Sequence, residues 1–246
     1  MKKEIMEEKR KAILILIIMV GLFFSFAPFQ DFMVSIFNED LQGFEQFIGQ
    51  DLVQNLKDWD FYMTSQWFGK NFGQFVPIIA IILSFSLFAR EFESGTIEFL
   101  LVRLPRKKVF LNKLVGSLAI LLIILSVLSF LPSIYSLVVS KNFEHILTLK
   151  FMVHVLFGAF FWYSISILMS VLFDSQVKSL ITSLLLLAIT TILGLIKPLG
   201  FLNTYKYILG SDIFGGQINW IYSFVILIIG ILCIFFSYCV FKNKEA

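Results

Sequence analysis

Six stretches of the chain are strongly apolar, and short polar segments separate them. A helix needs about 20 mostly apolar residues to cross a membrane. The six predicted spans cover residues 12–29, 71–89, 114–139, 151–173, 179–196 and 219–241, and none has an acidic or basic residue in its interior. The pattern predicts an all-α integral membrane protein with one transmembrane domain over residues 1–246.

The first apolar run has one feature of a secretory signal, a Ser25-Phe26-Ala27 sequence that resembles a cleavage site. Pro28 would follow directly after the cut, and acidic residues dilute the basic leader. We therefore expect an uncleaved first helix.

The composition agrees with a membrane protein. Hydrophobic residues make up 58% of the 246 residues and charged residues 15%, which leaves too little polar surface for a water-soluble domain. The basic residues flank the spans and form no basic face, so the sequence indicates no nucleic-acid partner. Cys233 and Cys239 lie six positions apart on one predicted helix, too far for a disulfide.

The basic residues also predict the orientation. With both termini in the cytoplasm, the inner segments hold fourteen Lys and Arg residues and the outer segments hold six. This distribution follows the positive-inside rule and predicts a multi-pass protein of the cell membrane.

Several kinds of chemistry are missing from the sequence. It has no GxxxxGK[ST] phosphate loop, no HExxH and no GxSxG motif, and His145 and His154 are its two histidines. We expect no catalytic residue, no metal site and no cofactor on this chain. The uncharged spans also argue against a carrier driven by an ion gradient, so energy for transport would come from a partner.

The first outer loop, residues 30–70, is long and acidic. Its apolar residues recur at helical spacing and predict a short amphipathic helix on the outer membrane surface; they are Phe44, Phe47, Ile48, Leu52 and Leu56. Tyr62, Trp67 and Phe68 would form an interfacial aromatic belt. The loop is either a lid over an exit or an ordered cap on the bundle.

The third span carries hydroxyl residues at steps of three and four, which places them on one helix face. They are Ser126, Ser129, Ser133, Ser136 and Ser140. This stripe is either a path for an amphiphilic substrate or a surface for close helix packing. Pro132 predicts a kink within it.

The fourth span has small and polar residues at steps of four: His154, Gly158, Trp162, Ser166 and Ser170. They predict an edge that packs against another helix. The outer connection from Lys197 to Asn219 contains four glycines and is expected to be irregular.

Residues 90–113 form the longest charged segment between two spans. Ile97, Leu100, Leu101 and Leu104 share one helical face that would lie on the membrane, with Gly95 at the helix start, Ser94 or Thr96 as its cap, and a helix end before Pro105. Phe99 and Val102 lie on the opposite face between Glu98 and Arg103, as in a docking surface. Arg106, Lys107 and Lys108 would reach lipid phosphates.

The amino-acid sequence of this segment resembles that of one protein family. Glu91-Phe92-Glu93-Ser94-Gly95-Thr96, Leu100-Leu101, Pro105, Arg106-Lys107-Lys108 and Lys113 resemble the loop between the second and third spans of type-two ABC transporter permeases. The resemblance implies a short interfacial coupling helix that meets two cytoplasmic ATP-binding subunits, which would hold ATP and magnesium. It also implies a second permease copy or a sister permease, and an interfacial helix over Met1 to Lys11.

The predicted ATPase-docking residues are Glu91, Glu93, Gly95, Thr96, Glu98, Phe99, Arg103, Pro105 and Arg106. The predicted function is ATP-driven export of an amphiphilic or hydrophobic substrate, such as a peptide, lipid or drug. The alternative hypothesis is a membrane sensor or immunity protein that binds a membrane-active peptide through the acidic outer loop.

Overall fold

The computed structural model describes residues 2–39, 57–214 and 216–244. Within these ranges all regular secondary structure is helical. The α-helices before the fourth span are α1 Lys2–Phe24, α2 Gln30–Glu39, α3 Trp59–Thr64, α4 Phe72–Ser84, α5 Ala89–Glu93, α6 Thr96–Arg103, α7 Arg106–Ser129 and α8 Leu131–Val138. The later ones are α9 His145–Leu172, α10 Gln176–Leu193, α11 Thr204–Ile208, α12 Ser211–Phe214 and α13 Trp220–Asn243.

Six segments of the described chain are long and apolar enough to cross a membrane, which confirms the predicted number. We call them spans 1 to 6: Glu7–Phe32, Trp59–Glu93, Arg106–Val138, His145–Leu172, Gln176–Leu193 and Trp220–Asn243. Their ends differ from the predicted ones most at span 2, which begins at Trp59 and not near Asn71. A π-helical segment, Ser65–Asn71, joins α3 to α4 within it.

The early start of span 2 overturns the predicted aromatic belt. Tyr62, Trp67 and Phe68 are buried in the bundle and not at its surface. The Trp67 indole donates to the Leu128 carbonyl at 2.9 Å, and the Phe68 ring stacks on Phe151 with 4.6 Å between centroids. The amphipathic helix predicted from Phe44 to Leu56 lies outside the described residues.

Span 1 also differs from the expectation. The implied interfacial helix at the N-terminus is absent as a separate element, because residues 2–24 form one continuous helix. Helix α1 continues without a break from this segment into the apolar run of span 1.

Span 3 is interrupted in its last third, as expected from Pro132. Helix α7 ends at Ser129 and α8 begins at Leu131, with Phe130 as the junction. Since a proline ring cannot fit within a continuous helix without displacing the preceding turn, the break lies just before it.

The connection between spans 5 and 6 is more helical than predicted. It forms a 3₁₀ segment, Lys197–Leu202, followed by α11 and α12. Helix α11 packs against the polar edge predicted on span 4: the Trp162 indole donates to the Thr204 hydroxyl at 2.9 Å, and His154 Nδ1 lies 2.9 Å from the Tyr207 carbonyl. His154 and Trp162 lie near the middle of α9, a helix about 42 Å long at 1.5 Å per residue. The connection therefore dips into the bundle.

Gly158 is the position that permits this approach. A Cβ atom there would lie 2.3 Å from Ile208 Cγ1, and Ile208 is fully buried. We expect Gly158→Ala to displace α11 and to lower stability by about 1–3 kcal/mol, the usual cost of overpacking. The measurement is the apparent melting temperature of the purified protein in detergent.

Gly116→Ala is the matched control, because Gly116 is also helical and a Cβ atom there has nothing within 4 Å. Alanine favours the helix over glycine, so its melting temperature should be unchanged or higher. Equal effects of the two substitutions would show that the approach of α11 to span 4 does not depend on Gly158.

Candidate functional site

The loop between spans 2 and 3 is built as two short helices at an angle. Gly95 joins α5 to α6 with a φ of +66°, a conformation that residues with a Cβ atom rarely adopt. Leu104 is extended and Pro105 precedes α7, so α6 ends where the sequence predicted. The predicted caps are wrong: the Ser94 hydroxyl donates to the Arg90 carbonyl, and the Thr96 hydroxyl donates to the Glu91 carboxylate.

Helix α6 has one buried face and one exposed face. Ile97 is 2% exposed, and Leu100 and Leu101 pack partly against the core. Phe99 and Val102 are 72% and 87% exposed on the opposite side. The neighbouring exposed residues are Gly95, Thr96, Glu98, Arg103 and Pro105. Two large apolar side chains within a charged rim form a surface that favours a protein partner.

Three of the predicted docking residues bond to residues of other spans or of the turn before span 5. Glu91 is buried and forms an ion pair with Lys113, at 2.9 Å, at the start of span 3. The side chain of Arg106 donates to the carbonyls of Phe241 and Lys244 at 3.0 and 2.6 Å, at the end of span 6. Because the last carbonyls of a helix lack partners within it, a guanidinium there stabilises the helix end.

Glu93 is the third of these residues. Its carboxylate lies beside the first residues of span 5 and accepts hydrogen bonds from the Ser175 hydroxyl at 3.2 Å and the Gln176 side-chain amide at 2.6 Å. The loop is thus bonded to spans 3, 5 and 6 through three different side chains.

Just before the loop, residues 85–88 of span 2 leave the regular helix. Side chains from three other spans bond to this backbone. The Ser170 hydroxyl accepts hydrogen bonds from the amides of Phe88 and Ala89 at 3.0 and 3.1 Å. Ser179 donates to the Phe85 carbonyl at 3.0 Å, and Lys113 donates to the Leu87 carbonyl at 3.2 Å.

Span 1 contacts the same region through charged residues. The Lys11 ammonium lies 2.9 Å from both the Glu8 carboxylate and the Ser86 hydroxyl. Arg90 forms an ion pair with Glu7. Glu7 of the acidic leader is therefore a direct partner of span 2, and Glu8 holds the Lys11 side chain that bonds to it.

The end of span 6 completes the set of contacts. The Lys244 ammonium lies 4.1 Å from the centre of the Phe92 ring, donates to the Val171 carbonyl at 2.7 Å and pairs with Asp174. Residues 85–106, which we call the hub, are thus bonded to each of the other five spans.

The serine stripe of span 3 lies away from the hub. Ser129 and Ser136 are fully buried and their hydroxyls donate to carbonyls one turn earlier, at 2.7 Å each. Ser136 also accepts from the Trp59 indole, and Ser133 bonds to His145. Ser126 is half-buried. These bonds are those expected of a packing surface, and the substrate path stays a prediction.

Sequence reasoning missed the residues that hold the hub from other spans. Lys11, Gln176 and Lys244 carry no motif, and Lys113 belongs to the family-like sequence but gave no indication of its partner. The steps of four on span 4 did indicate Ser170 as part of a packing edge, although not its partner. Only the three-dimensional arrangement reveals which span end faces which.

One comparison with known proteins found a match. A family model described as ABC-2 family transporter protein matches residues 1–246. No curated protein and no solved structure matches the chain.

The contact between Ser170 and the broken helix generates a prediction. Ser170→Ala leaves two buried amides without their acceptor, so we expect a loss of about 1–3 kcal/mol in stability. Ser164→Ala is the matched control, because Ser164 is equally buried on the same helix and donates only to the Phe160 carbonyl. Thermal unfolding in detergent measures both, and a loss for Ser164→Ala as large as for Ser170→Ala would contradict the assignment.

Proposed function

The chain belongs to the ABC-2 family of transporter proteins, and from this premise we propose that it is the permease of an ATP-driven exporter whose ATP is hydrolysed by separate subunits. It is a membrane permease subunit with six spans. Two cytoplasmic ATP-binding subunits would serve a pair of permeases, either two copies of this chain or this chain with a sister permease.

The observation that carries the proposal is the exposed face of α6. Phe99 and Val102 are among the most exposed large apolar side chains of the described chain, and they lie in a charged loop and not in a span. Lipid covers the exposed apolar residues of the spans, but it does not cover this face if α6 stands at the membrane boundary. A protein partner that buries both side chains supplies the missing cover.

The route of the substrate follows from the packing of the bundle. Aromatic side chains fill the interior of one protomer, among them Phe23, Trp67, Phe72, Trp162 and Tyr163, all fully buried. A passage through a single protomer would have to displace this core. We therefore place the route between two permeases, where movement of spans 2 and 3 would open it.

The substrate class is proposed from the chemistry of the spans. Their outward faces are apolar and contain many of the chain's 30 phenylalanines. A route lined by such faces suits an amphiphilic or hydrophobic molecule, such as a peptide, a lipid or a drug.

Truncation of the exposed aromatic residue tests the docking face. We expect Phe99→Ala to reduce the amount of ATP-binding protein that co-purifies with the chain about tenfold or more, the effect typical of an aromatic anchor. Quantitative immunoblotting of the purified complex measures this amount.

Phe201→Ala is the matched control, since Phe201 is 65% exposed but lies in the connection at the other end of the bundle. Its complex should be retained. If both variants keep the ATP-binding protein, α6 is not the docking face. If no ATP-binding protein accompanies the parent chain, the sensor alternative gains support.

Orientation is tested by labelling. In a background with Cys233→Ala and Cys239→Ala, we expect a membrane-impermeant maleimide to label Phe201→Cys in intact cells, and Val102→Cys only after permeabilisation. The physical reason is that the hub and α6 would lie in the cytoplasm under the positive-inside rule. Labelling of Val102→Cys in intact cells would contradict a cytoplasmic docking face.

A further inference from the structure

The start of span 5 is held by a side chain from the hub. Ser175 precedes the first turn of α10, and its hydroxyl donates to Glu93. The other oxygen of the Glu93 carboxylate accepts from the Gln176 backbone amide at 3.4 Å and from its side chain at 2.6 Å. Glu93 therefore acts as the cap of a helix to which it does not belong.

The electrostatics favour this arrangement. The first turn of a helix has backbone amides without partners and carries a partial positive charge. A carboxylate placed there is attracted to the helix end as well as to the individual donors. Span 5 and the end of α5 are thus joined by a charge-assisted contact at the edge of the membrane.

Span 5 has few residues buried inside the protomer. Of its most apolar 18 residues, 17% are buried, close to the 22% of spans 1 and 6 and far below the 72% of span 2 and the 56% of span 4. Its buried residues are Ser179, Ser183 and Leu187, while Ile181 and Leu185 point outward. A span with so little buried surface can shift against the bundle at a low energetic cost, and its polar contacts then determine its position.

We propose that Glu93 is a positioning residue that transmits displacement of the loop to span 5. This inference rests on the proposed function and extends it: span 5 moves together with spans 2 and 3. Glu93 lies at the end of α5, directly before the Ser94-Gly95 turn into α6. A shift of α6 against its partner therefore reaches span 5 through one side chain.

Fluorescence on span 5 tests this inference. The sample is the complex of the full chain with its co-purified ATP-binding protein, in the background without native cysteines. A bimane probe attached through Val177→Cys, one residue after Gln176, reports the surroundings of the span's cytoplasmic end. In the parent we expect an emission shift when ATP and vanadate are added.

Glu93→Ala should reduce this shift to less than half in the complex that retains the ATP-binding protein. Glu93→Gln keeps an acceptor oxygen without the charge and should give an intermediate shift. Asp174→Ala is the matched control: it removes a carboxylate one position before Ser175, but this carboxylate pairs with Lys244 and not with span 5. It should keep the full shift.

The remaining outcomes separate the two proposals. A parent chain without an ATP-binding partner overturns the proposed function and this inference together. Loss of the partner on Glu93→Ala would make Glu93 a docking residue and overturn the inference alone. An undiminished shift in Glu93→Ala, a shift lost equally in Asp174→Ala, or no shift in the parent would each also overturn it.

Discussion

Backbone that leaves a helix inside a membrane bundle must find hydrogen-bond partners within the protein, because lipid offers none. Two such places in the described chain are the break at residues 85–88 and the connection that dips in at α11. One edge of span 4 serves both. Ser170 accepts from the amides at the break, while His154 and Trp162 bond to α11. Span 4 is therefore the structural support on which the irregular parts of the bundle depend.

The same constraint explains why the hub is rigid on one side. Glu91 and Lys113 are both buried, with side chains 8% and 7% exposed, and a buried charge is tolerated only with its partner. Pairing them fixes α5 to span 3 and leaves the carboxylate unavailable to an outside molecule. The hub then presents the outward face of α6, where Phe99 and Val102 stand clear of the bundle.

Local rules accounted for much of this architecture. Apolar run length predicted the six spans, Gly95 and Pro105 predicted the limits of α6, and steps of four predicted the packing edge of span 4. Each of these depends on residues close in sequence. The aromatic core of span 2, the helices of the outer connection and the partners of Glu91, Glu93 and Arg106 could not be predicted, because they depend on which span ends meet. Its sequence context predicts Trp67 at the membrane interface, whereas the tertiary packing buries its side chain fully.

Some hub residues bond to other spans and others are exposed to solvent, and this division has a mechanical consequence. A loop whose every charge faced the partner would be held by the partner alone and would transmit little to the spans. Here Glu91, Glu93 and Arg106 bind spans 3, 5 and 6, while Phe99 and Val102 are exposed on the outward face of α6. Under the proposed function, force that a partner applies to this face would be distributed to several span ends at once. The least-packed of these, span 5, should respond most, since the energy needed to move a helix rises with the surface it buries.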